Sequence, residues 1–229
     1  MKGLKHITLG TTPLCFEDFL TQETLKMDAS WIGVEMQLLC MAIRKNVNLR
    51  HLDLSEAHFD MRIDIVKVLV QSLETLLLLD CEPLDLLKIA GLEIPLKQLA
   101  AGQQKSLDFS CSSRQTINRS ALAPLFVFVL DHSSGLSSVD FCDNELGNES
   151  EHVVDAVLRL AQRGLEVYNG LPLKGNEQSF RIQQRPVMPH GLCVFASTFI
   201  ARQRHLQQLE LQKCGLDARS LGAILLSLL

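Results

Sequence analysis

Few residues in this chain stand at spacings that chemistry requires. His190-Gly-Leu-Cys193 sets two metal-binding side chains about one turn apart. A structural zinc takes four ligands, usually as two such pairs, and the sequence supplies no second pair. Cys111-Ser-Ser-Arg114 places a thiol beside a base. A phosphate-loop nucleophile would also need a glycine-rich turn opening a helix, and none follows it. The histidines at 6, 51, 58, 132, 152, 190 and 205 are scattered. GxGxxG, GxxxxGK[ST], GxSxG and HExxH are all missing, so the common nucleotide-binding, hydrolase and metalloprotease signatures are not present. The expectation is a protein that is not an enzyme, with no catalytic residue, no metal and no cofactor.

What remains is the chemistry of binding surfaces. Net charge is −4, with 22 basic against 26 acidic residues, which argues against nucleic acid as a direct ligand held by bulk positive charge. Apolar residues make up 47% of the 229, enough for a sizeable core. The longest apolar run, Ala121 through Leu130, falls well short of the ~20 residues a membrane span needs. The N-terminus has no long apolar stretch and carries Glu17 and Asp18 early, unlike a secretory signal. Seven scattered cysteines do not form a disulfide framework. An intracellular, reducing compartment, cytoplasmic or nuclear, is expected, with the sequons at Asn118 and Asn148 unmodified.

One spacing recurs along the chain. Leu206-Gln-Gln-Leu209-Glu-Leu211-Gln-Lys-Cys214-Gly-Leu216 fits L-x-x-L-x-L-x-x-N/C-x-L at every fixed position. Leu136, Val139, Phe141, Asn144 and Leu146 repeat it, and Leu49, Leu52 and Leu54 give its first half. Leu73, Leu76, Leu78 and Cys81 read as another copy, as do Leu4, Ile7, Leu9, Thr12 and Leu14. Gln104, Leu107 and Phe109, and Tyr168, Leu171, Leu173 and Asn176, are weaker ones. Each copy opens with period-2 apolar residues, the mark of a short strand. Most continue with a 3.6-residue period, the mark of a helix. Predicted helix stripes are Trp31, Val34, Leu38, Leu39 and Ala42; Ile65, Val66, Leu69 and Leu73; Val153, Val154, Val157, Leu158 and Leu160; Leu192, Phe195, Phe199 and Ile200; and Leu221, Ile224, Leu225 and Leu228. Ser30, Asn148 or Ser150, and Asp217 are placed to cap three of them.

On these motifs the chain resembles the leucine-rich repeat family, and its long units are similar to the ribonuclease-inhibitor-like subfamily. The resemblance implies an α/β fold: a curved solenoid of about seven irregular repeats over residues 1–229, strands on the concave face and helices on the convex face, in a single domain. It also implies an interval near residues 4–49 that hides a degenerate repeat or an insertion. At the Asn/Cys position the chain turns, and a short side chain must hydrogen-bond buried backbone. Asn144, Asn176, Cys81 and Cys214 fall there.

The concave position between the last two leucines then reads Thr8, Asp53, Leu77, Asp108, Asp140, Pro172 and Glu210. One reading is an acidic strip that receives a basic segment of a partner. The other is a row of solvated aspartates, which the interruptions at Leu77 and Pro172 favour. Leu77 and Leu79 would stand exposed on that face, as a contact site or under a neighbouring loop. His51 and Gln208 border the same surface. At the C-terminus, Leu226 and Leu229 lie in a helix more apolar than one face requires, with no polar cap after it. An oligomer, end-on docking into an assembly, or a truncated product would account for that. The leading functional expectation is a non-enzymatic interaction scaffold or adaptor in a larger protein complex. The resemblance also implies two alternatives: a regulator of a small GTPase or nuclease, or a substrate receptor of a ubiquitin ligase.

Overall fold

The structure is a computed structural model that describes residues 6–9, 12–15, 20–26, 40, 43–46, 48–55, 63–78, 84–110, 117–142, 144–146, 150–175, 178–183 and 189–229. Its strands are short because each holds only one alternating apolar pattern before a turn. In His51–Leu54, for instance, Leu52 and Leu54 are buried, His51 is exposed and Asp53 is half-buried.

Four groups of parallel strands occur among the described residues. β3 (Thr24–Lys26), β4 (His51–Leu54) and β5 (Leu86–Ile89) lie side by side, pairing Leu25 with Leu52 and Leu52 with Leu87. β7 (Ser106–Asp108), β9 (Ser138–Asp140) and β11 (Val167–Tyr168) do the same through Leu107, Val139 and Tyr168. β13 (Ser179–Gln183) and β14 (Gln208–Gln212) match Phe180 with Leu209 and Ile182 with Leu211. β1 (His6–Leu9) pairs antiparallel with β2 (Thr12–Cys15), and β8 (Ile117–Asn118) runs parallel to β10 (Asn144–Glu145). β6 (Leu92–Ile94) and β12 (Leu171–Pro172) fold back on β5 and β11 as hairpins. The turns are Ala90-Gly91 (φ 49°, 75°) and Asn169-Gly170 (φ 50°, 69°), positive at both central residues as a tight hairpin requires.

Helices follow the strands. α1 (Ile63–Leu78), α3 (Ala123–His132), α4 (Ser150–Arg163), α5 (Pro189–Thr198) and α6 (Ala218–Ser227) touch one another in chain order, and the one-turn helix α2 (Leu96–Ala100) packs against α3. α3 carries Pro124 in its first turn, where its fixed φ suits a helix, and it buries Ala123, Leu125, Phe126, Phe128, Val129 and Leu130. That burial follows from its place between α1 and α4. α4 is amphipathic and buries Val153, Ala156, Val157, Leu160 and Ala161. It also holds the end of α3. Arg159 forks onto Asp131 at 3.1 and 2.8 Å, and Arg163 donates to the carbonyls of Leu130 and Asp131 at 3.0 and 3.1 Å. The main core centres on Phe109, Phe126 and Phe141, with ring centroids 4.9 to 5.1 Å apart. A second core beneath β13 and β14 holds Phe180, Phe195 and Phe199.

Several expected positions move. The copy expected near Leu73 is helix, not strand. The period of Ile65, Val66, Leu69 and Leu73 runs on through Leu76, Leu77 and Leu78 with no turn residue to stop it. The strand of that region is β5, eleven residues later, carried by Leu84, Leu87 and Ile89. The interval before residue 49 holds β3. The copy near Tyr168 is the Asn169-Gly170 hairpin, and β13 forms an additional parallel strand. The helix expected around Trp31 and the turns at Cys81 and Asn176 lie outside the described residues.

Candidate protein-binding surfaces

The Asn/Cys turn position shows why the sequence folds as it does. Asn144 is fully buried, and its Nδ2 lies 2.8, 3.0 and 3.1 Å from the carbonyls of Phe109, Phe141 and Cys142. Its Oδ1 accepts from Arg119 Nη1 at 3.0 Å, and Arg119 also donates to Phe109 O at 2.9 Å. Cys214 repeats the geometry with a thiol. Its Sγ meets Ile182 O of the preceding strand at 3.7 Å and Gln212 O at 3.5 Å. Both residues tie a turn to the strand before it. Arg119 was not evident from the sequence: it lies after a stretch of polar residues, and nothing in that stretch marks it as buried.

The outward row of the strands carries both signs of charge. In the first sheet the register sets Lys26, Asp53 and Lys88 side by side. In the second it aligns Asp108 with Asp140; Asn169, just after Tyr168, is fully buried instead, its Oδ1 accepting the Phe141 N–H at 2.7 Å. In the last pair Arg181 lies opposite Glu210, with Nε 3.0 Å from Oε2. Lys88 occupies the place expected for Leu77, which belongs to α1, and Asn169 the place expected for Pro172. Leu79 lies outside the described residues. The acidic strip is therefore interleaved with Lys26, Lys88 and Arg181.

The aspartates also share a local task. Asp53, Asp108 and Asp140 each accept the backbone N–H two residues on, from Ser55, Ser110 and Cys142, at 3.0, 2.9 and 2.8 Å. This turn closes the end of each strand. Asp53 also accepts from the Ser55 hydroxyl. That bond, with the backbone one and the nearby Lys26 and Lys88, holds its carboxyl below the usual carboxylate range. His51 is exposed, 3.4 Å from Thr24 Oγ1. Gln208 donates to Glu210 at 2.7 Å.

The C-terminal end differs from the layers of β4, β5 and β9. Along β4, β5 and β9 the central core residues Leu52, Leu87 and Val139 are at most 1% exposed. Along β14 the matching Leu209 and Leu211 are only half-buried. α6 is anchored from one side by Ile224 and Ser220, and Asp217 caps it by accepting Ser220 N at 2.7 Å. Its other side presents Leu221, Leu225, Leu226 and Leu228 at 48, 54, 74 and 56% exposure, and Leu229 is fully exposed. Patches of this kind on a folded protein mark contact sites. On the helical side, Lys67, Val70, Phe128, His132, His152 and Arg159 line a shallow groove of about 360 Å³ between α1, α3 and α4.

Cys193 of α5 is half-buried, and burial pushes its thiol above the ordinary range. The side chain of His190, and Cys111 to Arg114, lie outside the described residues. Among the described residues no three His, Cys, Asp or Glu side chains cluster as metal ligands, and no helix is long and apolar enough to cross a membrane. No family model matches this chain, and no curated protein matches it.

Proposed function

We propose that this chain is a non-enzymatic interaction subunit, built as a leucine-rich repeat array, that binds a protein partner through its C-terminal end. The observation that carries this reading is the exposed leucine face of α6, set beside the half-covered core of β14. Full burial of one leucine contributes about 1.5–3 kcal/mol. Covering Leu221, Leu225, Leu226 and Leu228 together is thus worth several kcal/mol to an assembly. The stacked strand–helix units and the turn bonds of Asn144 and Cys214 support the repeat reading. Among the described residues the thiols of Cys40, Cys193 and Cys214 are in no disulfide, which suits a reducing intracellular setting. An inhibitor of a basic nuclease would need a continuous acidic face, which Lys26, Lys88 and Arg181 break up.

The test is a native pull-down of tagged chain from its own cells, washed at high salt. Apolar contact predicts partners that survive the wash and are lost from a Leu225→Glu/Leu226→Glu variant that keeps wild-type circular dichroism. Partners that wash off with salt, or that bind the variant equally well, contradict the proposal.

A further inference from the structure

β7, β9 and β11 lie side by side in chain order, so the next strand of the array belongs on the far side of β11. β12 already lies there, folded back through the Asn169-Gly170 turn. Tyr168 and Leu171 close this hairpin, and Leu173 N donates to Glu166 O at 2.7 Å. In such a ladder the backbone groups of the residue between Leu171 and Leu173 face away from β11. That residue is Pro172, which has no N–H to offer a further strand. Among the described residues β13 pairs with β14 alone. The hairpin thus ends one sheet, and a new one begins at Ser179.

The same device occurs earlier in the chain. β6 folds back through Ala90-Gly91 onto the edge of β5 that the next unit's strand would take, and Pro95 follows β6 directly. At that break the core runs through. Leu87 and Ile94 before it and Leu107 and Phe109 after it all belong to the main core. Ser134 N also donates across it to Leu99 O at 3.0 Å. At the second break the core divides as well. Leu173 lies in the main core, whereas Leu171, Ile182, Leu192, Phe195 and Phe199 belong to the second one. What crosses here is the packing of α5 on α4 and on the hairpin, with Val194 reaching the main core. Gln203 Nε2 donates to Gly175 O at 2.6 Å, and Arg219 pairs with Glu151. That ion pair is exposed on both sides, and such pairs contribute little.

Units of a stacked array are coupled through their shared interface. Cooperativity is therefore weakest where strand pairing stops and the core divides. We infer that β13, α5, β14 and α6 open as one unit, separately from the rest of the chain, with the β11–β12 hairpin as the joint. Opening there needs no partner and is independent of what α6 binds.

Native-state hydrogen exchange of the purified chain in increasing, sub-denaturing urea tests it. The slowest amides of β13, α5, β14 and α6 should converge on one opening reaction. They should exchange about tenfold or more faster than the slowest of β9, α3 and α4. Phe199→Leu, in the second core, should speed exchange by one common factor throughout those four elements and leave β9 and α3 unmoved. Phe126→Leu, in the main core, should do the reverse. Equal rates for the slowest amides on both sides of the joint overturn the inference, and so does a Phe199→Leu effect that spreads to β9 and α3. Opening of β14 and α6 apart from β13 and α5 also overturns it, because the layers would then loosen one at a time and not as a unit.

Discussion

Replacing Asn144 with alanine probes the bond set that joins the turn to the strand before it. The amide of Asn144 serves three carbonyls and accepts one guanidinium N–H, all in full burial. Two of those carbonyls keep a second donor in the variant. Phe109 O retains Arg119, and Phe141 O retains the backbone N–H of residue 144 at 3.2 Å. The loss is thus dominated by the contact to Cys142 O, a neutral bond of about 1 kcal/mol, and by the bond from Arg119, a charge-assisted one of about 1.5–3 kcal/mol. With the small cavity left behind, Asn144→Ala should cost about 3–4 kcal/mol. Against a urea slope of about 2 kcal/mol/M, the unfolding midpoint falls by about 1.5–2 M. Cys214→Ala removes only long sulfur contacts, of 3.7 and 3.5 Å, and should cost about 1 kcal/mol. The assay is urea unfolding followed by far-ultraviolet circular dichroism. A cost under about 1 kcal/mol for Asn144→Ala, or one equal to that of Cys214→Ala, would refute the reasoning.

Titration and capping give three further expectations. Tyr168 is the chain's one tyrosine and is fully buried, and burial raises its phenol well above the ordinary value. It should stay un-ionised in the folded chain through pH 10. Above that, unfolding releases a proton that folding retained, so stability falls by about 1.4 kcal/mol per pH unit; tyrosinate absorbance appearing before the circular dichroism is lost would contradict this. Asp53 has a depressed carboxyl pKa, so its contribution is present above the unfolded value and is lost as pH falls through the folded one. Ser55→Ala should raise that pKa toward the ordinary value, as carboxyl carbon shifts in an NMR titration would show, and an unmoved pKa would mean that Lys26 and Lys88 dominate. Asp217→Ala should destabilise α6 by about 1 kcal/mol, read as faster hydrogen exchange over 218–227 with little change in α4.

Local patterns in the sequence were legible where one short period ended at a turn residue. Leu52-Asp53-Leu54, Leu107, Val139 and Leu209-Glu210-Leu211 mark strands, and the stripes beginning at Ile65, Val153 and Leu192 mark helices. The run from Leu76 misled because consecutive leucines satisfy both periods, and only the missing turn residue ties Leu76, Leu77 and Leu78 to α1. Asn169-Gly170 was the available signal for the hairpin at Tyr168, since that dipeptide tolerates two positive φ angles. β13 was carried by Phe180 and Ile182 alone. The charged row was less legible, because it depends on register between strands far apart in sequence. Lys26 and Asp53 become neighbours only when β3 and β4 pair. The apolar end was visible in Leu226 and Leu229, whereas its extension onto β14 depended on the burial of Leu209 and Leu211.

The central claim is that the C-terminal end makes the contact. Hydrogen–deuterium exchange of the purified chain, dilute and alone, against the complex recovered from cells tests it most directly. The account predicts slower exchange in the complex over 208–212 and 218–227, the amides of β14 and α6. Unchanged exchange there, with protection only at the groove between α1, α3 and α4 or along the charged strand face, would contradict it.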